Sequence, residues 1–253
     1  MGLPGERARE GLSRPARAAT DVAGTSVGLA LAAVSAVRRG KAVHPHGAVH
    51  AARLIVPGGE PAPPAALLRA PGEHRAIARF SRSLGLPRPL PDLLGLSIRV
   101  PEAYGAGRHQ DFLLVTSADV PVLHHGFLPA ADVWQRPYTS SLPYRAGGRT
   151  FLVGALPEPP PRRPPGATEL DRLAAAAAAG GLGFRLAVAP PFGRFTPVAQ
   201  LRIGERLDQA LDATRFDPWN TGGGLEPSGF LNRLRDYAYP LSQAAWRRTR
   251  PSG

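Results

Sequence analysis

The sequence predicts an α+β fold built around an antiparallel sheet. Segments in which apolar and polar residues alternate, the pattern of half-buried strands, fill the middle of the chain, and helical segments flank both ends. The chain has 253 residues, which is enough to bury a sizeable core in one large domain or two small ones. It contains no internal repeat, phosphate-binding loop or dinucleotide fingerprint.

The composition excludes several kinds of site. The chain has no cysteine, so disulfides, thiolate metal ligands and cysteine nucleophiles are ruled out. The net charge is +12, and Lys41 is the only lysine among 31 basic residues. This dominance of arginine, beside 29 glycines and 29 prolines, indicates a general compositional bias. A surface that binds nucleic acid often combines basic with aromatic residues or carries a zinc motif, and the sequence shows neither. We therefore expect no nucleic-acid partner, although the positive charge would attract small anions.

Residues 1–40 are expected to form an arm and a helix ahead of a domain that spans residues 41–253. Residues 1–20 are rich in Arg, Gly and Pro, and their apolar residues show no helical or strand periodicity. Residues 22–37 are apolar and uncharged but shorter than the roughly 20 residues that cross a bilayer. A secretory signal is the alternative interpretation of this run. Because no convincing cleavage site follows it, we favour a helix packed on the domain, no membrane span and a cytoplasmic protein.

The middle of the chain is predicted as strands separated by loops rich in glycine and proline. A loop is expected over 58–71, a stiff polyproline-like spacer over 157–165 and a short helix over 169–179. The predicted strands are residues 52–57, the segment around 77–81, 95–100, 110–115, 144–156, 184–189 and 198–203.

Residues 216–240, FDPWNTGGGLEPSGFLNRLRDYAYP, set arginines against tyrosines after a glycine run. Arg235 and Tyr239 are four apart, so on a helix they share a face, and the guanidinium would favour the ionised phenol. A phenolate is a hard anionic ligand for ferric iron. The residues alone leave open the other register, Arg233 with Tyr237, and an amphipathic helix with surface arginines and core tyrosines.

This segment resembles the haem catalase family, whose members carry FDP-x-N-x-PPG-I-EPS, then an arginine, three residues, the axial tyrosine and a proline. The chain matches at 216–218, Asn220 and 226–228, and then at Arg235 and Tyr239, with one residue fewer between the halves. The proline after Tyr239 selects that register. The resemblance implies that Tyr239 is the axial ligand of haem iron and that Arg235 stabilises its phenolate.

Residues 41–52, KAVHPHGAVHAA, resemble the family's segment RVVHAKGAGAYG, which carries the distal histidine. His44 matches that histidine, and Lys41 stands where the family usually has an arginine that binds a haem propionate. From the residues alone, a structural histidine or a metal cluster of His44, His46 and His50 is the alternative, although no nearby carboxylate completes such a cluster.

The sequence Arg79-Phe80-Ser81 matches the family's RFS. The resemblance implies that Arg79 faces a propionate and that Ser81 hydrogen-bonds the distal histidine and so fixes its tautomer. On sequence grounds alone these are three residues of a strand. Their place in the series of matches favours the functional interpretation.

Residues 110–115 resemble the family's WDLVGN but end in Val115 instead of the asparagine that binds and polarises the peroxide. Thr116 or Ser117 could offer a hydroxyl, but neither provides an amide N–H donor. Fast dismutation of hydrogen peroxide is therefore the activity that this departure puts in doubt. The resemblance implies a loop and a helix over residues 119–143, corresponding to those that cover the haem channel. Within them, the adjacent histidines His124 and His125 are expected to have surface or packing roles.

The resemblance covers residues 41–248 and implies a catalase core, an antiparallel eight-stranded β-barrel with flanking helices. It implies a haem b cofactor and a small peroxide or organic hydroperoxide as substrate, with peroxidase-type or hydroperoxide chemistry favoured. The family's wrapping segment and C-terminal helical domain have no counterpart, so we expect a monomer or a simple homodimer. The alternatives are a haem-binding module without turnover and a haemless relative with a hydrolytic activity, for which no paired carboxylates and histidines are evident.

Overall fold

In the computed structural model of the protein, the described residues are 47–87, 90–160, 162–207 and 216–228, and all belong to one compact unit, Val43–Asn232. The strands within them are β1 (Gly47–Val56), β2 (Gly72–Arg82), β3 (Leu94–Val100), β4 (Gln110–Thr116), β5 (Tyr138–Thr139), β6 (Tyr144–Ala146), β7 (Arg149–Glu158), β8 (Gly183–Ala189), β9 (Thr196–Arg206) and β10 (Glu226–Pro227). The helices there are α1 (Ala66–Arg69) and α2 (Glu169–Ala178).

Eight of these strands close into an antiparallel barrel. The sheet runs in the order β5-β4-β3-β2-β1-β9-β8, and β7 pairs with both β5 and β8, which closes the circuit. The two short strands β6 and β10 extend the sheet from β7. Closure satisfies the backbone hydrogen bonds that an edge strand would leave open. The predicted α+β class and eight-stranded barrel are therefore confirmed.

One side of each strand fills the barrel interior. Phe80, Phe112 and Phe184 are almost completely buried, and the ring centroids of Phe80 and Phe184 are 5.7 Å apart. Tyr138 is also buried and donates its hydroxyl hydrogen to the carbonyl of Val133 at 2.8 Å. Burial raises the pKa of Tyr138 far above its ordinary value, so it stays neutral. Large side chains thus make the interior a packed core.

Helix α2 is fixed to the end of β2. It begins with a capping box, in which the Thr168 hydroxyl accepts a hydrogen bond from the Asp171 backbone N–H and the Asp171 carboxylate accepts one from that of Thr168. Its first residue, Glu169, accepts a hydrogen bond of 3.0 Å from Arg82, and both side chains are nearly buried. Asp92 lies 3.4 Å from the same guanidinium. This ion-pair group ties the helix to the barrel wall.

The predicted strands are found with shifted ends, and one predicted helix is wrong. The first strand begins at Gly47, five residues earlier than expected, and the strand predicted over 144–156 is a hairpin of β6 and β7. The helix expected within 119–143 is only a 3-10 turn, Leu123–His125, because prolines and Gly126 interrupt the segment. None of the helices in the described part is long and apolar enough to cross a membrane.

Candidate functional site

Two of the predicted site residues, Arg79 and Ser81, lie in β2. They are two positions apart and share the outer face of the barrel, while Phe80 between them points into the core. Ser81 is only 6% exposed and Arg79 is half-buried. The other predicted residues lie outside the described residues, and their roles stay predictions: Lys41, His44, Arg235 and Tyr239.

Ser81 belongs to a row of small side chains that crosses four strands on this outer face. Its cross-strand partners are Gly47 of β1 and Gly95 of β3, and Gly95 is in turn opposite Val115 of β4. A Cβ atom on Gly95 would come within 2.7 Å of the Ser81 hydroxyl oxygen, and one on Gly47 within 2.8 Å of a guanidinium nitrogen of Arg79. The Cβ atom on Gly47 would also come within 2.9 Å of the Phe80 backbone carbonyl oxygen, so the close approach of the strands requires both glycines. We call Gly47, Ser81, Gly95 and Val115 the small-residue strip.

The two hydroxyl groups that follow Val115 make structural hydrogen bonds. Thr116 is completely buried, and its hydroxyl oxygen accepts a hydrogen bond of 3.1 Å from the backbone N–H of Leu94. Ser117 donates its hydroxyl hydrogen to the carbonyl of Gly126 at 2.6 Å. Thr116 thereby joins the ends of β3 and β4, and Ser117 holds the loop that follows β4. Neither hydroxyl supplies an amide N–H donor.

An ion pair on the same outer face anchors the segment that carries the FDP-x-N motif. Arg99 and Asp111 are cross-strand partners joined by two hydrogen bonds, of 2.7 and 2.6 Å. The fully buried Asp111 carboxylate also accepts hydrogen bonds from the backbone N–H of Asp217 at 2.8 Å and from the side-chain amide of Asn220 at 3.0 Å. The Phe216 ring lies 5.2 Å from the Arg99 guanidinium. We call these five residues the Asp111 anchor.

Beyond the anchor, the chain stays on the barrel wall. Gly223 has φ +59°, and a Cβ atom there would collide with the Tyr104 ring, so both its backbone conformation and the close approach require glycine. Leu225 is fully buried, β10 pairs with β6, and the backbone N–H of Ser228 donates to the carbonyl of Pro143 at 2.8 Å. The motif residues up to Ser228 are thus held by side-chain and backbone contacts.

His50 does not share the outer face. It is fully buried in the barrel interior, its ring edge-on to Phe80, and its Nδ1–H donates to the carbonyl of Gly204 at 3.0 Å. Burial lowers the pKa of His50, so the ring is neutral, and its Nε2 atom has no hydrogen-bond partner among the described residues. Among the residues that the structure describes, no three His, Cys, Asp or Glu side chains come together as a metal site. The alternative of a metal cluster that includes His50 gains no support.

The adjacent histidines pack against the turn that joins β8 and β9. The Nε2 atoms of His124 and His125 each lie 2.9 Å from the carbonyl oxygen of Pro191. His124 is fully buried with its ring 5.5 Å from that of Phe195, and burial lowers its pKa. The expected packing role is confirmed.

The Asp111 anchor is the part of this surface that sequence reasoning missed. Asp217 and Asn220 were recognisable as motif residues, but their shared partner is 106 positions from Asp217. The aspartate of the segment matched to WDLVGN carried the only signal. An aspartate that directly precedes a run of four apolar residues in a strand is expected to be buried and to need a cationic partner.

The described residues define a catalase-like barrel, and two solved structures share it. A bacterial catalase matches with a TM-score of 0.54 and 13% identity, over 81% of this chain and 57% of that one. A fungal catalase matches with a TM-score of 0.58 and 14% identity, over 88% of this chain and 62% of that one. The chain therefore spans about three fifths of their lengths. No protein-family model and no curated protein sequence matches. At these identities the likeness establishes the fold alone.

Proposed function

We propose that this protein is a haem b-dependent oxidoreductase of the peroxidase or catalase type that acts on hydrogen peroxide or organic hydroperoxides. One observation carries the proposal. The Asp111 anchor docks the FDP-x-N motif on the same outer face of β3 and β4 that bears Gly95 and Val115 of the small-residue strip. Two parts of the family pattern, separated by more than one hundred residues, therefore meet on one side of one sheet.

The described residues fit a haem group. Arg79 supplies a cation for a propionate, and the two glycines of the strip keep the surface around Ser81 and Arg79 free of further side-chain atoms. In the proposal Lys41 supplies a second cation, Tyr239 ligates the iron and Arg235 stabilises the Tyr239 phenolate. When bound, haem supplies the redox-active iron at which a peroxide O–O bond is cleaved.

The protein's own contribution to that cleavage is the movement of one proton. In the proposal His44 takes the proton from one peroxide oxygen and returns it to the other, which requires a neutral imidazole with a defined tautomer. The Ser81 hydroxyl is the partner that would fix this tautomer, because a hydroxyl can accept a hydrogen bond from a ring N–H or donate one to a bare ring nitrogen.

Val115 decides which reductant the proposal favours. A valine side chain has no N–H donor with which to bind and polarise hydrogen peroxide, and the neighbouring Thr116 and Ser117 hydroxyls are engaged in structural hydrogen bonds. We therefore favour organic donors or organic hydroperoxides over fast dismutation of hydrogen peroxide. The same valine favours a second candidate, a haem-binding module without significant turnover.

The test is peroxide-dependent oxidation of an organic donor by the haem-loaded full chain. His44→Ala is expected to retain haem and to lose about 10²–10⁴ in rate, the usual contribution of a general acid–base group. His46→Ala, two residues away, is the matched control and should keep the wild-type rate. Haem binding with negligible peroxide consumption by the wild type would favour the module. An unchanged rate in His44→Ala would remove His44 from the mechanism.

A further inference from the structure

Three arginines stand side by side on the outer face of the barrel, across three neighbouring strands. Arg53 of β1 is directly opposite Arg75 of β2 on one side and Arg202 of β9 on the other. All three side chains are exposed. Neighbouring strands are about 4.8 Å apart, so the outer two backbones of this arginine row are separated by about 10 Å.

The arginine row is incompletely neutralised. Arg53 pairs with Glu73 at 2.7 Å, and both side chains are largely exposed. Within the described chain, neither Arg75 nor Arg202 has a hydrogen-bond or ion-pair partner. Like charges directly opposite each other destabilise a strand pair. The row contains three guanidinium groups and has one neighbouring carboxylate. Its excess positive charge therefore attracts a further anion.

The next carboxylate along the sheet does not neutralise the row either. Glu158 of β7 lies against Gly183, the cross-strand neighbour of Arg202. There it pairs with Arg185 at 3.8 Å and accepts a hydrogen bond of 3.4 Å from Gln200. In this group of six residues, the four arginines (Arg53, Arg75, Arg185 and Arg202) outnumber the two glutamates (Glu73 and Glu158) by two.

The residues around the arginine row determine which kind of anion it can bind. The shallow depression beside it is lined by Arg53, Glu73 and Arg75, all of them charged, so a ligand would be recognised by its charges and not by an apolar group. Guanidinium groups match the oxygens of phosphate in pairs of parallel hydrogen bonds. A ligand that satisfies two or three of them carries several phosphates within about 10 Å.

We propose that the arginine row binds a linear chain of phosphate groups. The site is independent of the proposed haem chemistry, because Arg75 and Arg79 are four residues apart on the same face of β2, about 13 Å along the strand. Inorganic polyphosphate and the triphosphate of a nucleotide share this chemistry.

Binding of inorganic tripolyphosphate to the full chain tests the proposal, with orthophosphate and ATP as the comparison ligands. Calorimetry at low and at moderate salt gives the dissociation constants. Tripolyphosphate is expected to bind about tenfold or more tightly than orthophosphate and to weaken with salt. ATP as tight as tripolyphosphate identifies the phosphate chain as the recognised part. ATP binding without tripolyphosphate binding would overturn the proposal.

Three variants separate the row from the general positive charge of the protein. The double variant Arg75→Gln/Arg202→Gln should lose about tenfold or more in affinity, whereas Arg149→Gln/Arg194→Gln, which removes two exposed arginines outside the row, should lose about twofold at most. Glu73→Gln releases Arg53 and should tighten binding. Equal losses in the two double variants, or no tightening in Glu73→Gln, would overturn the proposal.

Discussion

Replacing Asp111 by Asn should release the docked segment 216–228 while the barrel stays closed. The substitution keeps the shape of the side chain but removes the charge and puts an N–H donor where four donors converge, from Arg99 (two), Asp217 and Asn220. Asp111 is fully buried and the Arg99 side chain is 14% exposed. Breaking a buried ion pair by removing one partner costs about 3–5 kcal/mol, and we expect a loss in this range.

Hydrogen exchange followed by mass spectrometry shows which residues lose protection, and urea unfolding measures the decrease in the free energy of unfolding. Asp92→Asn is the matched control. Asp92 is also fully buried, lies 3.4 Å from Arg82 and accepts backbone hydrogen bonds of 2.7 and 3.1 Å from Leu84 and Leu86. Both variants should be destabilised by a similar amount. Only Asp111→Asn should raise the exchange of residues 216–228, because, of the two aspartates, only Asp111 is hydrogen-bonded to that segment.

A double variant refines the test. Arg99→Asp/Asp111→Arg restores an ion pair between β3 and β4 but offers no acceptor to the Asp217 N–H and the Asn220 amide. It should therefore regain barrel stability without regaining protection in 216–228. The account of the anchor is refuted by a loss below about 1 kcal/mol in Asp111→Asn. It is also refuted by exchange in 216–228 that equals that of the Asp92→Asn control.

Further predictions concern pH, activity and packing. Burial lowers the pKa of His50 below its ordinary 6.5, so its contribution to stability is complete above about pH 6.5 and is lost as the pH falls towards the folded pKa. The melting temperature of the wild type should therefore drop between about pH 7 and pH 5 more than that of His50→Leu, and equal drops would contradict the assignment. In haem-loaded protein, Val115→Asn should raise oxygen evolution from hydrogen peroxide relative to oxidation of an organic donor, and an unchanged ratio would show that the asparagine position does not set the reaction. Gly95→Ala should cost about 1–3 kcal/mol in urea unfolding, because its Cβ atom would come within 2.7 Å of the Ser81 hydroxyl; a neutral substitution would contradict the tight packing of the strip.

The central strands and helix α2 could be predicted because their signals are local. Strand β3 alternates large apolar residues with small or polar ones, β4 contains a run of four apolar residues, and Thr168 with Asp171 forms a capping box that sequence spacing reveals. The strands β5 and β10 have two residues each and exist only because distant strands pair with them. Such elements carry no periodicity of their own, so closure of the barrel had to come from the family resemblance.

The candidate site likewise contains residues whose placement could be predicted from the sequence and residues whose placement could not. Arg79 and Ser81 could be placed on one face from their spacing alone, and the structure confirms that they share it. The role of Asp111 could not be predicted, because its partners Asp217 and Asn220 come from a segment more than one hundred residues away. His50 was not assigned to the interior because the first strand was expected to begin at residue 52, whereas β1 begins at Gly47 and His50 shares its inward face with Ala52 and Leu54.

The absorption spectrum of the full chain loaded with haem shows whether Tyr239 ligates the haem iron. We expect a Soret band at one haem per chain, and a changed ligand-field spectrum in Tyr239→Phe but not in Tyr237→Phe, the matched tyrosine two residues earlier. Absence of a Soret band, or equal haem retention and an unchanged spectrum in Tyr239→Phe, would contradict this assignment.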